Sequence, residues 1–376
     1  MQKKVTNIVN MQIRTRSRPR PNTRGIGSAP ALLAAADCLV IAAYLIQLET
    51  INVQLFAIIS KIAMFFLFGD YFQSLLKYSI QKISIMLGVL FFSVVFGQGE
   101  TWTPILQLTA FTTNLMVSLA ILRASQLLDY IKYSSVIIFI TNITYLIYFY
   151  SGLVGDHYGR YLYFSDSHPN LGCEIAAVGA VTAAIVFKNI RLFFLFAGIA
   201  LIPTILMQGR SAYLTVVVVS LIYGAFALKS KKGRQILTLV SPLILLAFAY
   251  LVPSFLEVLD LDSRQRGLGS GFTARSDRWD MALERFLENP LFGVGYYTHL
   301  DLGLATPHNF ILYALSETGI FAIVIFAVLG TAYAQSFRAD PRSSILLGSF
   351  IFLIIFNDRF FNLNPYPFIV FVMLFA

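Results

Sequence analysis

Charge is scarce in this sequence. Aspartate, glutamate, lysine and arginine make up 12% of the 376 residues, about half of what a soluble globular domain carries. Hydrophobic residues reach 57% and the mean hydropathy is +0.72. The polar outer faces that a stack of soluble helices needs are missing, so the chain reads as a polytopic membrane protein. Cysteine is nearly absent. The two present, Cys38 and Cys173, lie in apolar segments, which fits small buried hydrophobes and not a disulfide. No zinc-type Cys/His spacing occurs, so no metal is expected. No glycine-rich loop precedes a Lys-Ser/Thr pair, which argues against a nucleotide cradle.

Acidic residues are missing altogether from the first 28 positions, which hold Lys3, Lys4, Arg14, Arg16, Arg18, Arg20 and Arg24. The net charge of +9 suggests a nucleic-acid partner, but this uneven distribution speaks against one. A cleaved signal peptide would have a shorter basic region and a small-residue cleavage site. Residues 1–28 read instead as a basic cytoplasmic tail that fixes the first helix with its N-terminus inside and touches anionic lipid.

Apolar runs long enough to cross a bilayer as helices fall near 29–48, 51–69, 83–99, 104–122, 134–151, 170–187, 192–207, 211–228, 236–253, 309–335, 343–356 and 363–376. Threaded from an inside N-terminus, the cytoplasmic loops receive Lys77 and Lys82, Arg123 and Lys132, Lys188 and Arg191, the run "KSKKGR" at 229–234, and Arg338 with Arg342. Each of these loops is basic, as the positive-inside rule requires. Lysine is absent from the other side. Arg160, Arg210, Arg264, Arg266, Arg275, Arg278, Arg285 and Arg359 fall there, and arginine without lysine suits bidentate binding of phosphate or carboxylate. Arg264 and Arg266 read as solvated charges paired with loop carboxylates.

One outer loop, 254–308, is far longer than the rest, and long loops in compact proteins are functional or disordered. Within it, "ARSDRWDMALERFLENP" sets Trp279, Leu283, Phe286 and Leu287 on one helical face, opposite Asp277, Asp280, Glu284 and Glu288. That pattern predicts a helix lying at the membrane interface, ended by Asn289-Pro290. "FGVGYY" then turns the chain towards "TPHNF".

His308 stands at the outer mouth of the span that follows. The dipole of that helix disfavours a charged imidazole, leaving a neutral ring able to take a proton. Two roles fit this position: a general base, or an interfacial cap working with Pro307 and Asn309. Arg210 lies in "MQGRSAYL", a tight outer turn in which Gly209 is expected to supply the sharp bend. Arg275 opens the interfacial helix. Two arginines and a neutral base at one membrane depth suit transfer from a diphosphate-linked donor, because arginine offsets charge growing on the leaving diphosphate. Such a leaving group needs no general acid. In "GRYLYFSDSHPNLGCE", Arg160 is a further candidate for binding substrate, while Asn170 caps the next helix. Asp37, Lys61, Glu174 and Glu317 are intramembrane charges. Glu317, roughly 13 Å of helix below His308, is expected to pair with Lys61 or a backbone group.

The stretches "RYLYFSDSHPNLG", "QGRSAY", "ARSDRWDMALERFLENPLFGVGYY" and "PHNFILYALSETGIF" resemble the O-antigen ligase and O-antigen/exopolysaccharide polymerase superfamily over about 150–335. The resemblance rests on Arg275 four residues before Trp279, then Asn289, Pro290, Gly293 and Gly295, then His308 and Asn309 opening a span with Glu317 and Gly319. It implies an all-α fold of about 12 transmembrane helices, GT-C-like, with 29–376 forming the glycosyltransferase domain and 254–308 its periplasmic loop. It also implies a bacterial inner-membrane enzyme working on the periplasmic face with no cofactor or metal, and an undecaprenyl-diphosphate-linked glycan as donor. Other polysaccharide-assembly proteins are possible partners. The acceptor would be another glycan repeat or a lipid A-core, with the polymerase slightly preferred. By the same resemblance Arg210 and Arg275, with Arg278 as a second candidate, hold the diphosphate, and His308 deprotonates the acceptor in an inverting attack. The rival class is a polysaccharide or lipid transporter or flippase, which would show internal repeats and broken helices around a midplane site. A structural scaffold would leave the arginines and histidine unexplained.

Overall fold

The computed structural model describes residues 29–45, 59–64, 66, 76–97, 102–122, 126–157, 160–161, 169–228, 273–296, 307, 309–339, 347–348, 369 and 372. The basic tail, the span near 236–253, most of the long outer loop and most of the last two spans lie outside the described residues. Helices account for nearly all of the rest. They are α1 (Ala29–Leu45), α2 (Leu76–Phe96), α3 (Trp102–Ile121), α4 (Leu127–Tyr150), α5 (Pro169–Val186), α6 (Ile190–Leu206), α7 (Arg210–Leu228), α8 (Thr273–Glu288), α9 (Phe310–Thr318) and α10 (Ala322–Ala339). The exception is a two-residue antiparallel pair, β1 (Asp156–His157) with β2 (Arg160–Tyr161). Tyr161 packs edge-on against Phe149 at the end of α4, with ring centroids 4.7 Å apart.

The spans expected from 29, 83, 104, 134, 170, 192, 211 and 309 therefore correspond to helices. Among the described residues, Leu127–Tyr150, Ser211–Leu228 and Phe310–Arg338 are long and apolar enough to cross a membrane, with shorter apolar helices beside them. The 24 residues of α4 extend about 36 Å at 1.5 Å per residue, more than the roughly 30 Å of a hydrocarbon core. Large apolar side chains are exposed along these helices, among them Phe92, Ile140, Ile147 and Leu221. Such a surface is suited to lipid and ill suited to water. Hydroxyls turn inward onto their own helices: Thr141, Thr182 and Thr215 each donate to the carbonyl four residues back, which satisfies them without water.

Packing follows side-chain size. In α5 the residues Ala176, Ala177, Ala180, Ala183 and Ala184 are all fully buried, and α5 packs against α4, α6 and α7. Small residues let backbones approach closely in the absence of a hydrophobic force between helices. A Cβ on Gly179 would meet Ile138 of α4. Elsewhere α1 lies on α4, α2 on α3 and on α10, and α8 on α9. Lys82, near the start of α2, donates to Gln335 near the end of α10, so these two ends share one level.

Two of the intramembrane charges, Lys61 and Asp37, meet. Lys61 is paired with Asp37 of α1, and it also donates to Asn114 and Ser118 of α3. Tyr130 of α4 donates to the other oxygen of Asp37 at 2.6 Å. One buried ion pair thus joins α1, α3, α4 and the helical residues 59–64. Cys38 and Cys173 are both buried and are not joined in a disulfide.

Candidate active site

Four segments converge around the start and middle of the 309–335 span. The first is the helix start itself. Asn309 has extended backbone (φ −149°, ψ 110°), and its side-chain oxygen accepts from the amides of Ile311 at 3.0 Å and Leu312 at 3.2 Å. This is an N-cap satisfying two of the amides that a helix start leaves without partners. His308 itself lies outside the described residues.

The second segment is α8. Trp279 donates from Nε1 to the carbonyl oxygen of Pro307 at 2.9 Å. That bond ties α8 to the chain immediately before position 308, with Arg275 one turn before Trp279 and Arg278 beside it. Arg278 is half-buried. The acidic face expected for α8 is exposed at Asp280, Glu284 and Glu288. Its apolar face lies on another side from the residues that pack on the protein. Leu283 and Leu287 are 45% and 65% exposed, while Ala282 and Arg285 are buried against the protein. The leucines are thus left for the lipid boundary that an interfacial helix needs.

The third segment is a strap, residues 289–296, that runs from α8 onto the fourth, a break in the span. The expected continuous helix stops at Thr318, passes through a single tight turn at Gly319–Phe321 and restarts as α10. Strap amides occupy the carbonyls that the break frees: Val294 N donates to Ser316 O at 2.9 Å and Gly295 N to Glu317 O at 3.1 Å. In return Ile320 N donates to Pro290 O at 2.8 Å. Ser93 of α2 also donates to Glu317 O, at 2.5 Å. Gly293 and Gly319 have φ of +68° and +60°, and a Cβ on either would strike the other segment's backbone. Only glycine fits both demands. Stacked rings flank the strap, Phe96 on Phe292 at 4.7 Å and Phe292 on Phe321 at 5.6 Å.

Arg210 and Arg160 stand on other elements. Arg160 is in β2, paired in register with His157. Arg210 opens α7, which packs on α5 and α6. The turn before it differs from the sequence expectation. Gln208, not Gly209, holds the left-handed conformation, with φ +53°. Its amide donates to Ile205 O and that of Gly209 to Thr204 O, each at 2.9 Å, the pattern of a Schellman helix end with glutamine where glycine is usual. Gly209 is needed for a different reason: a Cβ there would run into Cys173 of α5.

Residues 192–327 match the family model described as O-antigen ligase. Over that stretch the chain is similar to O-antigen ligases. None of the curated proteins matches it. The matched stretch includes α7, α8, the strap and α9, and with them Arg210, Arg275, Arg278 and His308, while Arg160 and the Lys61–Asp37 pair lie outside it. This likeness and the apolar helices both fit an integral membrane protein of polysaccharide biosynthesis.

Sequence reasoning missed Arg285 as a site residue. Arg285 is 8% exposed, and its Nη2 has no hydrogen-bond partner. Burial pushes its guanidinium below the usual arginine range, against the opposing influence of Glu317 and Glu288. The spacing 275, 278, 282, 285 was the available signal, since those positions share one side of a helix.

Proposed function

We propose that the protein is a GT-C-like glycosyltransferase of about twelve transmembrane helices, acting on the periplasmic side of the bacterial inner membrane. It moves a glycan from undecaprenyl diphosphate to a sugar hydroxyl. The observation that supports this reading is the Trp279–Pro307 hydrogen bond, which ties the residue after Arg278 to the residue before His308. In the reaction, His308 takes the proton of the acceptor hydroxyl as its oxygen bonds to the anomeric carbon. The bond from that carbon to the diphosphate breaks on the opposite face, inverting the centre. The electron pair leaves with undecaprenyl diphosphate, whose growing charge Arg275, Arg278 and Arg210 offset. Arg160 is assigned to substrate binding from the outer hairpin. Asn309, by capping the helix, leaves the histidine available as a base.

A broken helix is also a transporter feature, and the break at Gly319 gives that rival its one supporting observation. Here, though, the carbonyls of Ser316 and Glu317 freed by the break are taken by the strap and Ser93. The test is transfer by purified protein from an undecaprenyl-diphosphate glycan to repeat-unit or lipid A-core acceptors. A ladder of lengthened glycans identifies a polymerase, and a single addition to lipid A-core a ligase. No transfer to any acceptor, with passage of the lipid-linked glycan across a proteoliposome bilayer, would replace the reading with a transporter.

A further inference from the structure

The turn before Arg210 rests on α5 more closely than a side chain would allow. Its own backbone closes it: Gln208 N donates to Ile205 O and Gly209 N to Thr204 O, each at 2.9 Å, and Gly209 O accepts from Tyr213 N at 2.8 Å as α7 begins. Cys173 of α5 meets this closed turn at two points. Its thiol donates to the same Thr204 oxygen at 4.0 Å, a weak bond, and it lies against Gly209, where a Cβ would overlap both its Sγ and its Cβ. Thr204, Met207, Ala212 and Cys173 are all buried. A Cβ is fixed to its backbone and cannot swing aside, so any side chain at 209 must lift the turn from α5. The strained φ of +53° at Gln208 fits this demand. A glycine at 208 would ease the turn, yet the glycine stands at 209, where close approach to α5 requires it.

What this seat carries is Arg210, the next residue and the first of α7. The helix α7 packs on α5 as well, so the depth at which Gly209 rests on Cys173 sets where α7 starts. We propose that Cys173 is a positioning residue for Arg210: acting through Gly209, the small side chain on α5 fixes the point from which the guanidinium reaches the leaving diphosphate. The effect on rate rests on the glycosyltransferase reading. The seat itself does not.

Cys38 and Cys173 are the two cysteines of the chain, so a Cys38→Ala parent leaves Cys173 as its sole thiol. The test uses that full-length parent in lipid nanodiscs. Labelling by N-ethylmaleimide reads the seat, and kcat and donor KM for glycan transfer read its consequence. Buried structural thiols are inert, so Gly209→Ala should raise the labelling rate by about tenfold or more. It should also lower kcat by up to about 100-fold, the cost of small misplacements near reacting groups, with donor KM changed much less. Adding Cys173→Gly makes room for the new methyl group and should recover most of kcat. In an Arg210→Ala background Gly209→Ala should cost nothing further, because an absent guanidinium cannot be displaced. If Gly209→Ala does not fold, its folding should return with Cys173→Gly. Cys173→Ala, which loosens the seat without a clash, then takes its place and should show a smaller fall in kcat, again absent in the Arg210→Ala background. Unchanged labelling overturns the seat. Faster labelling with unchanged kcat, no recovery on adding Cys173→Gly, or an equal fall without Arg210 overturns the positioning role. Absence of transfer by wild type would instead remove the glycosyltransferase reading, while labelling still decides whether the seat exists.

Discussion

At the scale of single residues, neighbours divide the work in ways that residue type alone does not reveal. Asn309 caps α9, and in the proposed reaction His308 serves as the base. At the turn before Arg210, the roles of Gln208 and Gly209 are the reverse of the usual ones. Gln208 bears a left-handed backbone that disfavours a side chain, and Gly209 is required by contact with Cys173. Replacing Gln208 with glycine should therefore stabilise the protein by about 1 kcal/mol, the steric cost of a left-handed non-glycine residue, seen as a higher thermal midpoint in detergent. A lower midpoint would mean that the glutamine side chain contributes more than its backbone costs.

At the scale of elements, the strap and the broken span form one unit. Gly293→Ala should force the strap away from Glu317 and Ser316, since a Cβ has no room there and φ is positive. Loss of folded protein, or a clearly lower thermal midpoint than Gly330→Ala at an open position in α10, is the expected result. Equal midpoints would show that the strap is not held as described. Much of this unit was visible in the sequence: the order Trp279, Pro290, Gly293, Gly295, His308, Glu317, Gly319 marks its parts. What could not be read was their contact. Hydropathy carries no sign of a helix break when the residues on both sides are apolar, so 309–335 looked continuous. The side of α8 that packs on the protein escaped for a related reason. Leucines at an interface can face lipid as readily as protein, and only a packing partner separates the two.

At the scale of the whole molecule, the buried Lys61–Asp37 pair and its partners Asn114, Ser118 and Tyr130 join elements outside the matched stretch 192–327. Sequence showed that these charges were costly but could not pair them, because partners 24 or more positions apart leave no periodic trace. Lys61→Met alone should leave Asp37 buried without its cation and destabilise the fold by roughly 3–5 kcal/mol. Adding Asp37→Leu should recover most of that loss in a thermal unfolding assay. If the double variant is no better than the single one, the pair is not the element that joins these helices.

Of the residues around the Trp279–Pro307 contact, His308 tests the central claim most directly. The decisive measurement is single-turnover glycan transfer from an undecaprenyl-diphosphate donor by wild type and by His308→Ala, each shown to be folded by its thermal midpoint. Loss of transfer by at least about 100-fold, the lower range for general-base catalysis, with donor binding retained, is the predicted result. Undiminished transfer by the folded variant would contradict the account, because no other group here has been assigned to take the acceptor's proton.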